Sequence, residues 1–333
     1  MRMIITRILG LWLICIISLL LAIQIGGARN QPVLTFKSEM DDINDIYLYD
    51  PTTGMTHNIT QSIYTEWSFA WSAQGILLYT AAVNPGQATD ELFTMSRLGE
   101  AQIIDTPDSL YSFGGSWSPD GRTLAYFSSH PRNYSDIFII ETDSGIVSNL
   151  TETPLTSETH PLWSPDGQSM LFLREDDLYI AHLSTGNITR IADLFDPIDN
   201  AVWSPDGETI VFFTSSFATG RTRNVAHRVA PDGTGLQQLD LPEIINTTAT
   251  WSPDSTQIAL IANNTDILLY TLSDNSYQLI PSDERRYAPS WSPDGSVIAF
   301  IEGRRIYLFD AETESVQLIA YDGFVTRPLL WKP

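Results

Sequence analysis

Ser116-Trp117-Ser118-Pro119-Asp120-Gly121-Arg122-Thr123-Leu124-Ala125-Tyr126-Phe127 sets a tight polar turn between a tryptophan and an apolar strand. Pro holds φ near the value a type I turn needs at its second position, Asp tolerates the bridge region, and Gly permits a left-handed exit into a hairpin. The cassette recurs as LWSPDGQSMLFL from Leu162, VWSPDGETIVFF from Val202 and SWSPDGSVIAFI from Ser290. Two weaker copies keep the register, AWSAQGILLYT from Ala70 and TWSPDSTQIALI from Thr250. The marker tryptophans Trp71, Trp117, Trp163, Trp203, Trp251, Trp291 and Trp331 are spaced 46, 46, 40, 48, 40 and 40 residues apart. That is the period of a four-stranded propeller blade.

Outward from each turn the pattern fills in. The strand after it alternates or is wholly apolar, as expected for a sheet packed between neighbouring sheets. A third strand follows, read at residues 45–49, 91–95, 136–140, 177–181, 266–270 and 305–309. Polar turns such as Asp50-Pro51-Thr52-Thr53-Gly54 then lead to a short fourth strand, for example Ile188 to Ile191. Six whole units separate Trp71 from Trp331, and the sequence ends two residues later after a lone first strand. Residues 32–36, 46–49 and 55–59 read as the second, third and fourth strands that would complete it. The fold expected is therefore all-β: a seven-bladed β-propeller of four-stranded antiparallel blades, closed by the C-terminal strand on the N-terminal blade and preceded by one N-terminal apolar helix. Closure leaves no exposed sheet end.

The repeat resembles the TolB-type WD-like propeller family, whose units carry the same Trp-Ser-Pro-Asp-Gly signature, over residues 32–333. The resemblance implies a bacterial envelope setting. Ala73 and Gln74 depart from the signature in one turn and Ser255 in another. The tryptophans are read as packing between blades, and Asp120, Asp166, Asp206, Asp254 and Asp294 as caps of their own turns.

The sequence holds 40 acidic against 18 basic side chains, and three of the basic ones, Arg2, Arg7 and Arg29, lie before residue 30. Such a charge repels phosphate backbones and anionic headgroups, which argues against nucleic acid as a partner. Residues 8–25, ILGLWLICIISLLLAIQI, form an uncharged run behind Arg2 and Arg7. As a helix it would span roughly 27 Å, enough to cross a membrane with the remainder outside. Residues 1–30 are thus expected to be a signal anchor or signal peptide, with Gly26-Gly27-Ala28 a possible cleavage site, and residues 31–333 an extracytoplasmic propeller. Cys15 is the single cysteine, so the propeller can form no disulfide. Six Asn-x-Ser/Thr sequons, at Asn58, Asn133, Asn149, Asn187, Asn246 and Asn263, read as chance in a Thr- and Asn-rich β protein.

Three to five residues before each marker tryptophan the chain should enter the central channel. Glu66, Trp67, Phe113, Glu158, His160, Asp199, Asn200, Arg286, Tyr287 and Arg327 stand there and form the expected ligand-binding rim, with the loops between second and third strands beside them. A mixed aromatic and charged surface of this kind suits a protein, peptide or glycan ligand. His57, His130, His182 and His227 fall at unrelated blade positions, so no histidine metal cluster is expected. Asp41-Asp42-Ile43-Asn44-Asp45 lacks the Gly and distal Glu of an EF-hand loop. No cofactor is implied. No Gly-x-Ser-x-Gly elbow, phosphate-binding Gly-rich loop or His-Glu-x-x-His motif occurs, and the prolyl-oligopeptidase arrangement, which resembles this repeat in its propeller half, is set aside for want of a hydrolase domain. The expected function is a non-catalytic binding or scaffold module. The alternative is a propeller hydrolase, a glycosidase or lactonase, that would use Glu66, Glu158 and Asp199 as paired carboxylates at the channel mouth.

Overall fold

Each Trp-Ser-Pro-Asp-Gly cassette folds as a hairpin turn held by its own side chains. Ser118 Oγ donates to Asp120 Oδ1 at 2.6 Å, and Arg122 N donates to the same oxygen at 3.1 Å. Ser164 and Asp166, Ser204 and Asp206, Ser252 and Asp254, and Ser292 and Asp294 repeat the arrangement. The serine hydroxyl is the main reason that Asp120, Asp166 and Asp294 ionise below the usual carboxylate range. Gly121 takes φ +63°, and Ser255, where the signature glycine is missing, still takes φ +62°. Its Oγ accepts a bond from Asp206 N of the neighbouring turn at 3.0 Å, which offsets part of the cost of that backbone conformation.

The computed structural model describes residues 32–332 except 41–42, 83–89, 97–99, 105–110, 130–133, 217–222, 320 and 322. The expected N-terminal helix, and Asp41, Asp42 and His130, lie outside the described residues. Among the described residues all regular elements are strands, and no helix is long and apolar enough to cross a membrane.

The strands form seven four-stranded antiparallel blades. Blade 1 joins Phe324–Lys332 to Val33–Met40, Ile43–Asp50 and Met55–Asn58. Blade 2 is Thr65–Trp71, Leu77–Ala82, Asp90–Met95 and Ala101–Ile103; blade 3 is Tyr111–Trp117, Thr123–Ser129, Ser135–Glu141 and Val147–Asn149. Blade 4 is Glu158–Trp163, Ser169–Arg174, Asp177–His182 and Asn187–Ala192; blade 5 is Ile198–Trp203, Ile210–Ser216, Arg223–Val229 and Gln237–Gln238. Blade 6 is Ile244–Trp251, Gln257–Ala262, Asp266–Thr271 and Ser276–Ile280; blade 7 is Arg286–Trp291, Val297–Glu302, Arg305–Asp310 and Val316–Leu318. The third strand of blade 5 has no counterpart in the sequence pattern, because Arg223–Val229 lacks the charged residue followed by an aliphatic one that starts the motif in the other six. In blade 1 the tail pairs with the head, with Leu34 opposite Trp331 and Phe36 opposite Leu329.

Stability comes from the contacts between blades. Leu171, Leu173 and Leu178 of blade 4 pack with Ile198, Ile210 and Phe212 of blade 5, and equivalent clusters occupy the other joints. Blade 1 is held on both sides, through Leu34 and Phe36 against Ala299 and Ile301 of blade 7 and through Ile46 and Leu48 against Phe69 and Leu77 of blade 2. Second strands are buried on both faces, which is why they read as continuous apolar runs rather than strict alternations.

A stacked pair of rings joins the second and third strands in six blades: Phe36–Tyr47, Tyr79–Phe93, Tyr126–Phe138, Phe172–Tyr179, Phe212–His227 and Phe300–Tyr307. Blade 6 has Leu260 opposite Leu268 instead.

Candidate channel-mouth site

The first strand of every blade carries an irregularity three or four residues before its marker tryptophan. In blade 2 Glu66 faces Ala81 and Ser68 faces Thr80, so Trp67 is the extra residue. The same shift leaves His160 and Pro161 over in blade 4, Asp199 in blade 5, Ala288 and Pro289 in blade 7, and Arg327 and Pro328 in blade 1. Bulges of this kind bend a strand and re-aim its side chains. His160 and Ala288 pay for the bend with φ values of +54° and +48°. First strands of successive blades touch in turn, so these bulges ring one end of the channel.

The rim residues divide into exposed and buried groups. Trp67, at 52% exposure, and His160 and Asp199 are open to solvent. His160 stacks on Phe127 of blade 3, with centroids 6.0 Å apart, and its Nδ1 lies 3.0 Å from Thr159 Oγ1. Desolvation pulls its pKa below the ordinary histidine value, while the charge of Asp199 on the next blade pulls the other way. Asp199 also accepts a hydrogen bond from Ser215 Oγ. Asn200 Oδ1 accepts from Ala201 N at 2.9 Å, and Tyr287 is half-buried against the core of blades 7 and 1. Phe113 sits opposite Phe127 in the strand register, and Arg327 lies in the bulge of blade 1.

Glu66, Glu158 and Arg286 are buried, each at the position where the first strand faces the second. Glu158 opposes Arg174 and bonds it at 2.7 Å, with Thr153 Oγ1 at 2.7 Å and Thr156 Oγ1 at 3.0 Å. The Arg174 guanidinium lies 5.5 Å from the Phe172 ring and 4.9 Å from Tyr179. Blade 7 reverses the charges. Arg286 opposes Glu302 at 2.6 Å, covers the Phe300 ring at 4.8 Å and donates to Ile280 O at 2.9 Å. In blade 2 Glu66 opposes Ala81, where blade 4 has an arginine. Its Oε1 accepts from Ser62 Oγ at 2.6 Å, and Oε2 is buried without a hydrogen-bond partner. Burial pushes its pKa up to about 8, with the Asp45 charge adding to the shift and Ser62 and Lys37 opposing it.

Two sequons prove to be structural. Asn58 Nδ2 donates to Asp45 Oδ2 at 2.6 Å and Thr60 Oγ1 receives Ile46 N at 3.0 Å. Asn149 and Thr151 do the same for Asp136 and Ile137, at 2.8 and 3.1 Å. The Asn-x-Thr pattern closes the fourth strand on the start of the third and leads through Ser62 or Thr153 to the buried glutamate. Those residues, with Lys37, Arg174 and Glu302, escape the sequence reading; the recurring Asn-x-Thr was the available signal.

The three carboxylates proposed for a glycosidase lie on blades 2, 4 and 5, and each is engaged by its own partners. Glu158 is committed to Arg174, so the expected pairing at the mouth does not form through it.

No family model matches the chain. A 55-residue stretch is 46% identical to the "Uncharacterized peptidase YuxL" of Bacillus subtilis, covering 16% of this chain and 8% of that protein. A 128-residue stretch is 35% identical to "Dipeptidyl-peptidase 5" of Porphyromonas gingivalis, covering 33% of this chain and 19% of that one. Among solved structures, TolB from Acinetobacter baumannii aligns with TM-score 0.54 and 19% identity over 90% of this chain and 82% of its own. Oligogalacturonate lyase from Vibrio parahaemolyticus aligns with TM-score 0.67 and 14% identity, over 85% and 88% of the two chains. A prolyl endopeptidase aligns with TM-score 0.63 and 13% identity, over 89% of this chain and 50% of that one. At these identities the structures establish the fold, a seven-bladed propeller with TolB proteins among its neighbours.

The relatives overturn two expectations. A non-catalytic scaffold, and a protein that is not an enzyme, do not agree with sequence relatives that are named peptidases. The propeller cassette carries no catalytic motif of its own: its residues serve turn and packing chemistry alone.

Proposed function

We propose that this chain is the propeller of a peptide-hydrolysing enzyme and that the bulged channel mouth receives the peptide. The supporting observation is the juxtaposition of His160 and Asp199 on adjacent blades, both exposed at the rim, in a chain whose sequence relatives are named peptidases. An extended peptide presents donors and acceptors together. Asp199 offers an acceptor, and His160, neutral near pH 7 because its pKa is lowered, offers a ring nitrogen able to take a proton. The test is hydrolysis of aminoacyl and dipeptidyl p-nitroanilides by the full chain, with oligogalacturonate as the contrasting substrate. Turnover of the anilides, reduced about tenfold or more in His160→Ala and Asp199→Asn, is expected. Cleavage of oligogalacturonate alone, or no cleavage of either, overturns the reading.

The pairing of tail with head is taken to shut the ring, and residues 8–25 to tether it to a membrane with the propeller outside. Val33 starts at the turn face, opposite Lys332, so a tether there would direct the channel mouth away from the membrane. Protease shaving of intact cells that leaves the propeller uncut would sink that placement.

A further inference from the structure

Blades 2, 4 and 7 solve one structural problem in three ways. In blade 4 the buried carboxylate of Glu158 is neutralised by Arg174, whose guanidinium rests on the Phe172–Tyr179 stack. In blade 7 the two charges exchange strands and the guanidinium of Arg286 rests on Phe300. Blade 2 keeps the carboxylate, Glu66, and keeps the aromatic stack, Tyr79–Phe93 with centroids 5.1 Å apart, but has Ala81 where blade 4 has Arg174. Register makes these positions equivalent: Ala81 is two residues past Tyr79, as Arg174 is two past Phe172.

Among the described residues none fills that position. Glu66 is wholly buried, and its Oε2 lacks a hydrogen-bond partner. The nearby cation is Lys37 of blade 1, but its Nζ donates to Trp67 O at 3.3 Å and lies 5.8 Å from the Trp67 ring. Among the described residues, the other groups facing the carboxyl are Asp45, which adds negative charge, the Ser62 hydroxyl, the backbone N–H of Glu66 itself and Tyr79, whose pKa burial pushes up to about 12. A buried carboxylate without a cation is costly, and guanidinium is the group that satisfies both carboxylate geometry and an aromatic face.

We propose that Glu66 is a subsite for a guanidinium or alkylammonium group of the substrate, which enters beside the exposed Trp67 indole and takes the place that Arg174 holds in blade 4. Lys37 is the movable gate, because its bonds are to the Trp67 carbonyl and ring rather than to the carboxylate. A metal ion fits poorly beside that ammonium group. The substrate class named is a peptide bearing a basic side chain; only the word peptide rests on the function proposed above, and the cation subsite stands on the geometry of blade 2.

The test is calorimetric binding of Gly-Arg-Gly and its citrulline analogue, which is neutral and nearly isosteric, to the full chain at pH 7, with ethylguanidinium as competitor. The arginine peptide should bind at least about tenfold tighter, a difference of one charge-assisted pair. Because Glu66 ionises near pH 8, its binding should release close to one proton, read from the enthalpy in two buffers of different ionisation heat. Glu66→Gln should abolish both the preference and the proton release. Ala81→Arg should also abolish the preference, by supplying an internal guanidinium, and should melt no lower than the parent. Equal affinity for the two peptides in the parent, or a preference surviving in either variant, overturns the proposal. So does an Ala81→Arg chain that fails to fold, since the vacancy would then not exist. Competition by ethylguanidinium separates recognition of the cation from recognition of the peptide backbone. Binding without anilide hydrolysis would sink the enzyme reading and leave the subsite standing.

Discussion

Single residues show where the repeat is obeyed and where it is broken. Gly295 takes φ +73° in its turn, and a Cβ there would meet Pro253 at 3.5 Å, ordinary contact. Gly295→Ala should therefore cost about 1–2 kcal/mol, nearly all from the left-handed backbone, as measured by urea denaturation. Arg174→Ala is a different kind of loss, because it strands the Glu158 carboxylate in the interior. About 3–5 kcal/mol is expected, and a cost under 1 kcal/mol would show that Glu158 is solvated or protonated instead. Glu66 already lives without its arginine, and the pH dependence follows from its raised pKa. Between the unfolded value, about 4.3, and the folded value, about 8, the native chain holds a proton that the unfolded chain releases, so stability falls as pH rises across this window. Glu66→Gln should match the parent near pH 4 and become progressively more stable than it toward pH 8. A constant difference across that range would contradict the shift.

At the scale of the blade, the marker tryptophans differ in how their indole N–H is satisfied. Trp71 Nε1 donates to Thr35 Oγ1 at 2.8 Å, and Trp331 Nε1 donates to Ser290 O at 3.0 Å. The Nε1 atoms of Trp117, Trp163, Trp203, Trp251 and Trp291 are buried without a hydrogen-bond partner. The position of Thr35, opposite the residue before the marker, is held in blades 3 and 6 by Ala125 and Ala259. Ala125→Thr and Ala259→Thr should offer Trp163 and Trp291 the acceptor that Trp71 has, raising stability by about 0.5–1.5 kcal/mol each if the core admits the hydroxyl. A drop in the thermal midpoint would mean that overpacking outweighs the bond. The hairpin turns, second strands and six of the seven third strands were legible because their signals lie within a dozen residues of one another. The third strand of blade 5 was hidden because its aromatic partner for Phe212 is His227, which does not look like a strand residue.

Over the whole molecule, the joints between blades carry the stability, and blade 1 depends on strands from opposite ends of the chain. Leu329 and Trp331 join the core it shares with blade 7, and Leu330 joins the core it shares with blade 2. Removing residues 324–333 should leave Leu34, Phe36 and Ile46 exposed on one edge, lowering the unfolding midpoint far more than any single substitution and breaking two-state behaviour. Coincident fluorescence and circular-dichroism transitions in the truncated chain would count against it. The turn aspartates add a second global dependence. Their pKa values are lowered in the folded state, so their contribution is present above the unfolded value of about 3.9 and is lost as pH falls through the folded ones.

What the amino-acid order determined alone is the blade: turn chemistry and strand alternation act between near neighbours, and a period of 40 to 48 residues repeats them from blade to blade. What only the tertiary structure decided is the chemistry at the mouth. His160 and Asp199 belong to different blades, and Glu66 is set apart by an alanine opposite it and a lysine from the blade before. Burial turns those long-range meetings into altered proton affinities and an uncompensated carboxyl, quantities that depend on what surrounds a side chain in space rather than on what stands beside it in the chain.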